Sequence, residues 1–240
     1  MEVDAGPRGR PRIARLVPGD FLAARPLPPE GDLARVALIG RQMTLLSGDE
    51  LRIRIRLRPG ARLELVEPAA LVAYDSAGEP SRWECDVELA EGARLTWDGA
   101  PCIAARGSAL TRCLRTELAE GARALISETL VLGRAGEEGS SLRSLVQVSL
   151  AGAPLLVEDL RTGGSLRRSP AVLAGHRVMA SALALGYRPP AVPGTPPAGS
   201  TTLSLAAPGA VFRWLGGRHH EGRAALAEVL PAWRRAALGQ

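Results

Sequence analysis

A short phrase recurs along this chain at nearly constant spacing. Arg58-Pro59-Gly60-Ala61-Arg62-Leu63 returns as Ala90-Glu91-Gly92-Ala93-Arg94-Leu95 and again as Ala119-Glu120-Gly121-Ala122-Arg123-Ala124. A weaker copy is Leu150-Ala151-Gly152-Ala153-Pro154-Leu155, and the four glycines are 32, 29 and 31 residues apart. Gly209 follows 57 residues later, close to two more periods. Each copy separates two runs of strand-forming residues. A strand–glycine turn–strand unit repeating at about 30 residues predicts stacked β-units. Glycine supplies the positive φ that a tight reversal demands.

The first unit shows the strand period most clearly. Leu51, Ile53, Ile55 and Leu57 fall on one face of an extended chain, and Arg52, Arg54, Arg56 and Arg58 on the other. A unit with one apolar face cannot bury it alone, so hairpin-like modules must stack on one another. The expectation is an all-β, solenoid-like body of layered sheets, forming one domain over residues 1–240. The Pro/Gly-rich run PPAVPGTPPAGS at 189–200 reads as a loop. The end of the chain carries Leu226, Val229, Leu230 and Trp233 at helical spacing, predicting a helix over 221–238 with Pro231 as a point of kinking or restart. Residues 170–187 fit both helix, by alanine content, and strand, by alternation through Val178, Ala180 and Ala182.

Composition removes several functions. All 30 basic residues are arginine, so no phosphate loop of the Gly-Lys kind, no Schiff-base lysine and no kinase-type lysine–glutamate pair exists. Apolar residues at 46% suffice for a large core, and the three cysteines contain no C-x-x-C pair, which favours reduced thiols. The first residues have no apolar stretch of the secretory kind, and no run has membrane-spanning length without charge; a cytoplasmic protein is expected. Charge is segregated. Residues 1–62 carry 12 Arg against 7 acids, residues 63–160 carry 8 against 16, and residues 161–240 carry 10 against 2. Such blocks suit complementary protein surfaces or cation handling better than a continuous phosphate track.

No catalytic constellation emerges. There is no G-x-S-x-G, H-E-x-x-H or G-x-G-x-x-G. His219 and His220 adjoin each other before the C-terminal helix and His176 lies in an apolar stretch, each read as structural or exposed. Cys85, Cys102 and Cys113 read as small buried hydrophobes. Acidic residues recur at strand ends, and carboxylates lining an interior passage would hand along a divalent cation through labile oxygen contacts.

The collinear order of Ser47-Gly48-Asp49-Glu50, the P-G-A-R turn, EPAALVAY, the E-G-A-R-L-x-W strand, LVLGRAGEEG at 130–139 and the R-x-x-L-x-x-V-L-x-x-W-R-R end resembles the urease accessory protein UreD family, named UreH in some organisms. The resemblance covers residues 20–240. Where members usually carry a glycine-rich run ending in G-G-D, this chain has only Gly48-Asp49. The resemblance implies a predominantly β, non-enzymatic scaffold that binds UreF, reaches UreG through it, and docks on apo-urease to support nickel insertion. It implies no tightly bound cofactor, only transient nickel in an internal passage. Asp49, matching the family's Gly-Asp element, and Glu128, just before the L-G-R element, are the expected polar groups on that route. Partner contacts are expected from the amphipathic tail, with Leu226, Leu230, Trp233 and Arg234 as anchors. No membrane or nucleic-acid partner is implied. The alternative is a basic β-protein that binds nucleic acid through RIRIRLR, which steep salt dependence would reveal. A third reading is a thiol hydrolase, requiring a cysteine of depressed pKa.

Overall fold

The structure is a computed structural model and describes residues 1–6, 11–42, 44–134, 136–137, 140–192 and 194–240. In chain order its strands begin with β1 (Glu2–Asp4), β2 (Arg12–Arg15), β3 (Leu22–Glu30), β4 (Leu33–Gly40) and β5 (Thr44–Leu45). The repeat region follows as β6 (Glu50–Leu57), β7 (Arg62–Val66), β8 (Leu71–Ala73), β9 (Ser81–Leu89), β10 (Arg94–Ala104), β11 (Ala109–Leu118) and β12 (Arg123–Leu132). Last come β13 (Ser141–Leu150), β14 (Ala153–Thr162), β15 (Val178–Leu185), β16 (Ser200–Ser204) and β17 (Gly209–Gly216), then one helix, α1 (His219–Leu238).

These strands form two facing sheets. Sheet one runs β14-β13-β11-β9-β6-β1-β2, and sheet two runs β16-β17-β15-β12-β10-β7-β4-β3, with β8 on β10 and β5 on β8. The expected all-β stack is therefore present, with one correction to its unit. The arms of a glycine turn do not pair as a hairpin. β6 lies in sheet one and β7 in sheet two, and the same holds for β9 and β10 and for β11 and β12. Each arm pairs in parallel with the equivalent arm one coil onward: Leu51 faces Trp83 across β6 and β9, and Leu95 faces Ala124 across β10 and β12.

The phrase Gly-Ala-Arg accounts for the corner letter by letter. Gly60, Gly92 and Gly121 have φ of 67°, 65° and 70°, which a side chain would oppose. Their amides stack, Gly60 N–H donating to the Glu91 carbonyl at 2.9 Å and Gly92 N–H to that of Glu120 at 3.2 Å. Ala61, Ala93 and Ala122 fill the inside of each corner at 0% exposure, where no larger residue fits. The arginine projects to sheet two's outer side, described below. The fourth copy differs: Ala151 and Gly152, at φ of 49° and 79°, form a two-residue turn, and β13 and β14 are a true antiparallel hairpin. Antiparallel strands likewise finish sheet two, where β15 pairs with β12 and β17. The second half of the ambiguous stretch 170–187 is thus resolved as strand β15, and its first part, 170–177, as turns. The strand was unreadable by period because all eight of its residues are buried, one face in the inter-sheet core and the other under α1.

The helix begins at His219, two residues earlier than expected, and continues through Pro231. It packs across β10, β12, β15 and β17 on the outside of sheet two. Its end is held by the repeat. Arg62 Nη2 donates to the Leu238 carbonyl at 2.7 Å, Arg94 Nη1 donates to the same oxygen, and Arg123 Nη1 donates to Ala236 O at 2.9 Å. Three copies of one phrase place three guanidinium groups on the carbonyls that a helix C-terminus leaves unpaired.

Candidate functional site

Between the sheets, most inward positions are Leu, Ile, Val or Ala. One level of the stack is different. In β11 the inward set is Leu110, Arg112, Leu114, Thr116 and Leu118, and in β12 Glu128 stands between Ile126 and Leu130. Arg112 and Glu128 are 6% and 5% exposed, and Arg112 Nη1 lies 2.5 Å from Glu128 Oε2. The pair spans the gap between sheets. The contact is an ion pair without hydrogen-bond alignment, since Glu128 Oε2 has no hydrogen-bond donor. Burial is the largest single influence on Arg112 and opposes its charge, but the Glu128 carboxylate together with smaller neighbouring contributions leaves the guanidinium pKa raised. Arg112 also has a seat of its own: its Cζ lies 4.3 Å from the ring centre of Trp83, its register neighbour in β9. Ser144, its register neighbour in β13, accepts a long bond from Nη1 at 3.4 Å.

Polar groups continue on both sides at this level. Across sheet two, Glu128 pairs in register with Ser181 and Ser181 with Arg213. Arg213 Nη1 reaches Glu158 Oε2 of sheet one at 2.9 Å, a second inter-sheet ion pair whose side chains are 19% and 28% exposed. In the other direction β10 bulges between Asp98 and Pro101, opposite Glu128. The bulge requires Gly99, because an added Cβ would lie 2.5 Å from the Ser127 carbonyl oxygen. It frees the Ala100 N–H to donate to Glu67 Oε2 at 3.0 Å, and Trp97 Nε1 donates to Oε1 at 3.1 Å. Desolvation raises the Glu67 pKa in spite of these two bonds. The result is a transverse polar layer from Glu67 through Glu128 and Arg112 to Arg213 and Glu158.

The expected site residues are distributed unevenly over this frame. Glu128 is in the layer. Asp49 is not: it closes the turn between β5 and β6, its Oδ2 accepting the Leu46 N–H at 2.8 Å, and no hydrogen bond or ion pair joins it to Glu128. Glu138 of the L-G-R element lies outside the described residues. Glu137 is bound by Arg134, whose guanidinium and amide hold its carboxyl down at about 2. Among the described residues, no three His, Cys, Asp or Glu side chains converge to hold a metal ion.

Of the four expected partner anchors, Leu226 and Trp233 are turned onto the chain's own sheet, at 6% and 1% exposure. Trp233 Nε1 donates to Pro190 O at 3.2 Å, and its carbonyl accepts from the Tyr187 hydroxyl at 3.0 Å. Leu230 and Arg234 instead border an open groove of about 420 Å³ between α1 and the outer faces of β7 and β10, with Val66, Asp98 and Pro231. Arg234 is anchored there on Glu64 at 2.6 Å.

Two other features bear on function. The arginines of β6 do not stand alone on sheet one. Arg52 and Arg56 meet Glu84 and Glu88 of the parallel neighbour β9 at 3.6 and 2.9 Å, and Asp86 meets Arg115 of β11 at 3.3 Å. The basic first third and the acidic middle of the sequence are adjacent strands, so much of the segregated charge is answered within the sheet. All three thiols are raised in pKa by burial, Cys102 to about 11. None has the depressed value that a nucleophile needs. No helix among the described residues is long and apolar enough to cross a membrane.

Sequence reasoning named Glu128 but passed over Glu67, Arg112 and Arg213. For Arg112 a signal existed: Leu110, Leu114 and Leu118 share its parity, which puts a charge on the apolar side of a strand. Glu67 and Arg213 depend on a bulge and on a sheet-to-sheet contact that no local pattern shows.

Comparison with known proteins agrees with this architecture. Residues 16–240 match the family model described as UreD urease accessory protein. The chain is 44% identical over 235 residues to urease accessory protein UreD 1 of Streptomyces griseus, covering 98% of this chain and 90% of that protein. It is 34% identical to UreD of Streptomyces coelicolor, over 79% and 78% of the two chains. Against UreD of Frankia alni the identity is 32%, over 76% and 74%. The two-sheet stack with its buried polar layer belongs to a member of the UreD family of urease accessory proteins.

Proposed function

We propose that this chain is a non-enzymatic scaffold in urease maturation that binds UreF, engages UreG through it, and supports nickel delivery to apo-urease in the cytoplasm. The observation that carries the reading is the transverse polar layer. A β-stack that only had to hold together would fill its interior with apolar side chains, since a buried ion pair costs several kcal/mol of desolvation per ion (on the order of that in folded proteins). Carboxylates at Glu67, Glu128 and Glu158 are spaced through the layer, and oxygen ligands that are few at each point suit transfer of nickel rather than storage. Glu128 is one step of the route. Asp49, in a surface turn, would act only at its mouth. Nickel is cargo, with no cofactor resident.

The partner surface is the groove beside Leu230 and Arg234, with Leu226 and Trp233 acting behind it by fixing the helix. The test is reconstitution of urease activation from apo-urease, UreF, UreG, nickel and GTP, with and without this chain. Nickel content and activity of urease should depend on it. Equal nickel loading in its absence refutes the role, and co-purification with UreF unaffected by a Leu230→Asp, Arg234→Ala variant refutes the docking surface. Nucleic-acid binding has less support, because acidic neighbours meet arginines of sheet one.

A further inference from the structure

The two sheets do not end together on the side of β14 and β16. Arg213 of β17 meets Glu158 of β14 at 2.9 Å, so β14, the last strand of sheet one, lies opposite β17, the last but one of sheet two. Sheet two therefore overhangs by one strand, and β16 has no strand of sheet one across from it. The overhang leaves apolar surface in water. Leu203 pairs in register with Val211 of the inter-sheet core, which puts its side chain on the inner side of β16, yet it is 52% exposed. Beside the gap, β14 pairs with β13 alone, and its inward Leu156 and Leu160 are only partly buried. Its outward Val157, at 65%, is the most exposed large apolar side chain among the described residues. Other edges are guarded: β3 carries Pro26, Pro28 and Pro29, and β2 is four residues long, two of them arginine. β14 runs for ten residues with its one proline, Pro154, near the start.

We infer that this overhang is a slot for one extended segment of a partner protein, which adds to sheet one at β14 and lays its apolar side chains over Leu203. Strands pair about 4.8 Å apart and facing sheets lie about 10 Å apart, so a strand added to β14 comes to rest opposite β16 at core spacing. Its backbone takes up the N–H and C=O groups that β14 turns away from β13, and its inward side chains pack among Leu156, Leu160 and Leu203. Glu158, between the two leucines of β14, is already answered by Arg213. A second copy of this chain does not fit. Antiparallel two-fold pairing of β14 with its copy keeps both second sheets on one side, and the overhanging β16 of each then falls where the other has β17. The slot has the width of one strand. Charge selects the outward residues of the occupant: Arg143 and Arg161 share the single carboxylate of Asp159, each at 2.9 Å, which leaves one positive charge in excess beside the slot. The occupant is thus a segment that alternates apolar with polar residues, acidic on the polar side. The inference rests on the reading that this chain docks on UreF and apo-urease, and adds a contact apart from the groove at Leu230.

The test follows amide hydrogen exchange of the full chain, free and mixed with UreF or with apo-urease. Alternate amides of β14, those turned to the open side, should slow roughly 10-fold or more in one of the two mixtures. Leu203→Asp sets a charge in the slot, where the occupant would bury it unpaired, and should weaken that complex about 10-fold or more. The thermal midpoint should stay where it is, because the residue is exposed in the free chain. Leu46→Asp, at an apolar residue of nearly the same exposure (54%) in the turn before β6, should leave affinity unchanged. Complexes that form but leave β14 unprotected, or that bind Leu203→Asp as tightly as wild type, refute the slot alone. Equal weakening by Leu46→Asp assigns the loss to added charge and refutes it as well. A chain that binds neither protein refutes the docking reading and the slot with it. Self-association that rises with concentration and that Leu203→Asp abolishes would make the occupant a second copy and overturn the single-strand assignment.

Discussion

The two sheets are wound from the same coils, yet their outer faces have opposite characters. On sheet one, β6 alternates exposed and buried without a break, and its outward arginines stand beside the outward acids of β9. On sheet two, β12 is buried at nine of its ten positions and β15 at all eight, because α1 covers their outer side. The coil is set by the Gly-Ala-Arg corner, which is common to both sheets. What each face becomes is set by the residues between corners. Charge on the outward parity leaves a sheet facing water, and small apolar residues there recruit a lid. If that division is right, substitutions under the lid should be costly and substitutions on the charged face nearly silent.

The largest effect is expected at Trp233, which seals the lid. Trp233→Ala removes a fully buried indole and its bond to Pro190 O, and should lower unfolding free energy by about 3–5 kcal/mol in urea denaturation. A loss under about 1 kcal/mol would mean that the cavity collapses freely and that sheet two does not depend on its helix. Next come the corner arginines. Arg62→Ala or Arg123→Ala each withdraws a charged donor from a helix-end carbonyl, for about 1–2 kcal/mol and faster amide exchange in the last turn of α1. Arg94→Ala should cost less than either, because burial and then repulsion from Arg123 and Arg62 already disfavour its charge. Equal losses at all three would show that the cluster does not repel itself.

A smaller effect is expected at Glu67, and it is read as a slope. Burial raises its pKa above the ordinary carboxylate value of 4.5, with the Ala100 and Trp97 donors and the Arg112 charge pulling the other way and Asp98 adding to the rise. A carboxyl raised in the folded state contributes stability that is complete below its unfolded pKa and is lost as pH climbs through the folded value. Wild type should therefore lose stability from about pH 4.5 upward relative to Glu67→Gln, and the difference between the two should level off once Glu67 is fully ionised. A difference that does not change with pH would mean that the donors cancel the burial.

The sheets also explain what was legible in the sequence. β6 could be read outright because one face meets water, so its period of two survives. β15 could not, because burial on both sides leaves only an alanine-rich apolar run, which helix and strand share. The repeat announced the coil but not which way its arms pair: a glycine turn looks the same whether the chain doubles back in one sheet or crosses to the other, as the contrast of Gly121 with Gly152 shows. Glu128 stands out only by its place just before the L-G-R element, as the family resemblance implies, and not by any local pattern that shows it facing inward. Its partner Arg112 lies 16 residues earlier in the other sheet, and only the corner at Gly121 brings them face to face.

The weakest effect is the sharpest check on the charged face. Arg56 pairs with Glu88 at 2.9 Å, but both side chains are about half exposed, at 59% and 49%. Solvent and salt screen such a pair, and each partner surrenders side-chain freedom to form it. Arg56→Ala should leave the denaturation midpoint unmoved. Reversing the pair as Arg56→Glu with Glu88→Arg should do the same, because the alternation that directs Ile55 and Leu57 inward is untouched. Reversal of Arg56 alone sets like charges on adjacent parallel strands and should be worse than either, with the deficit shrinking as salt is added. A salt-independent deficit would mean that this face packs against something other than water. The account of an open, self-answering charge lattice would then give way to one in which sheet one, like sheet two, is built to be covered.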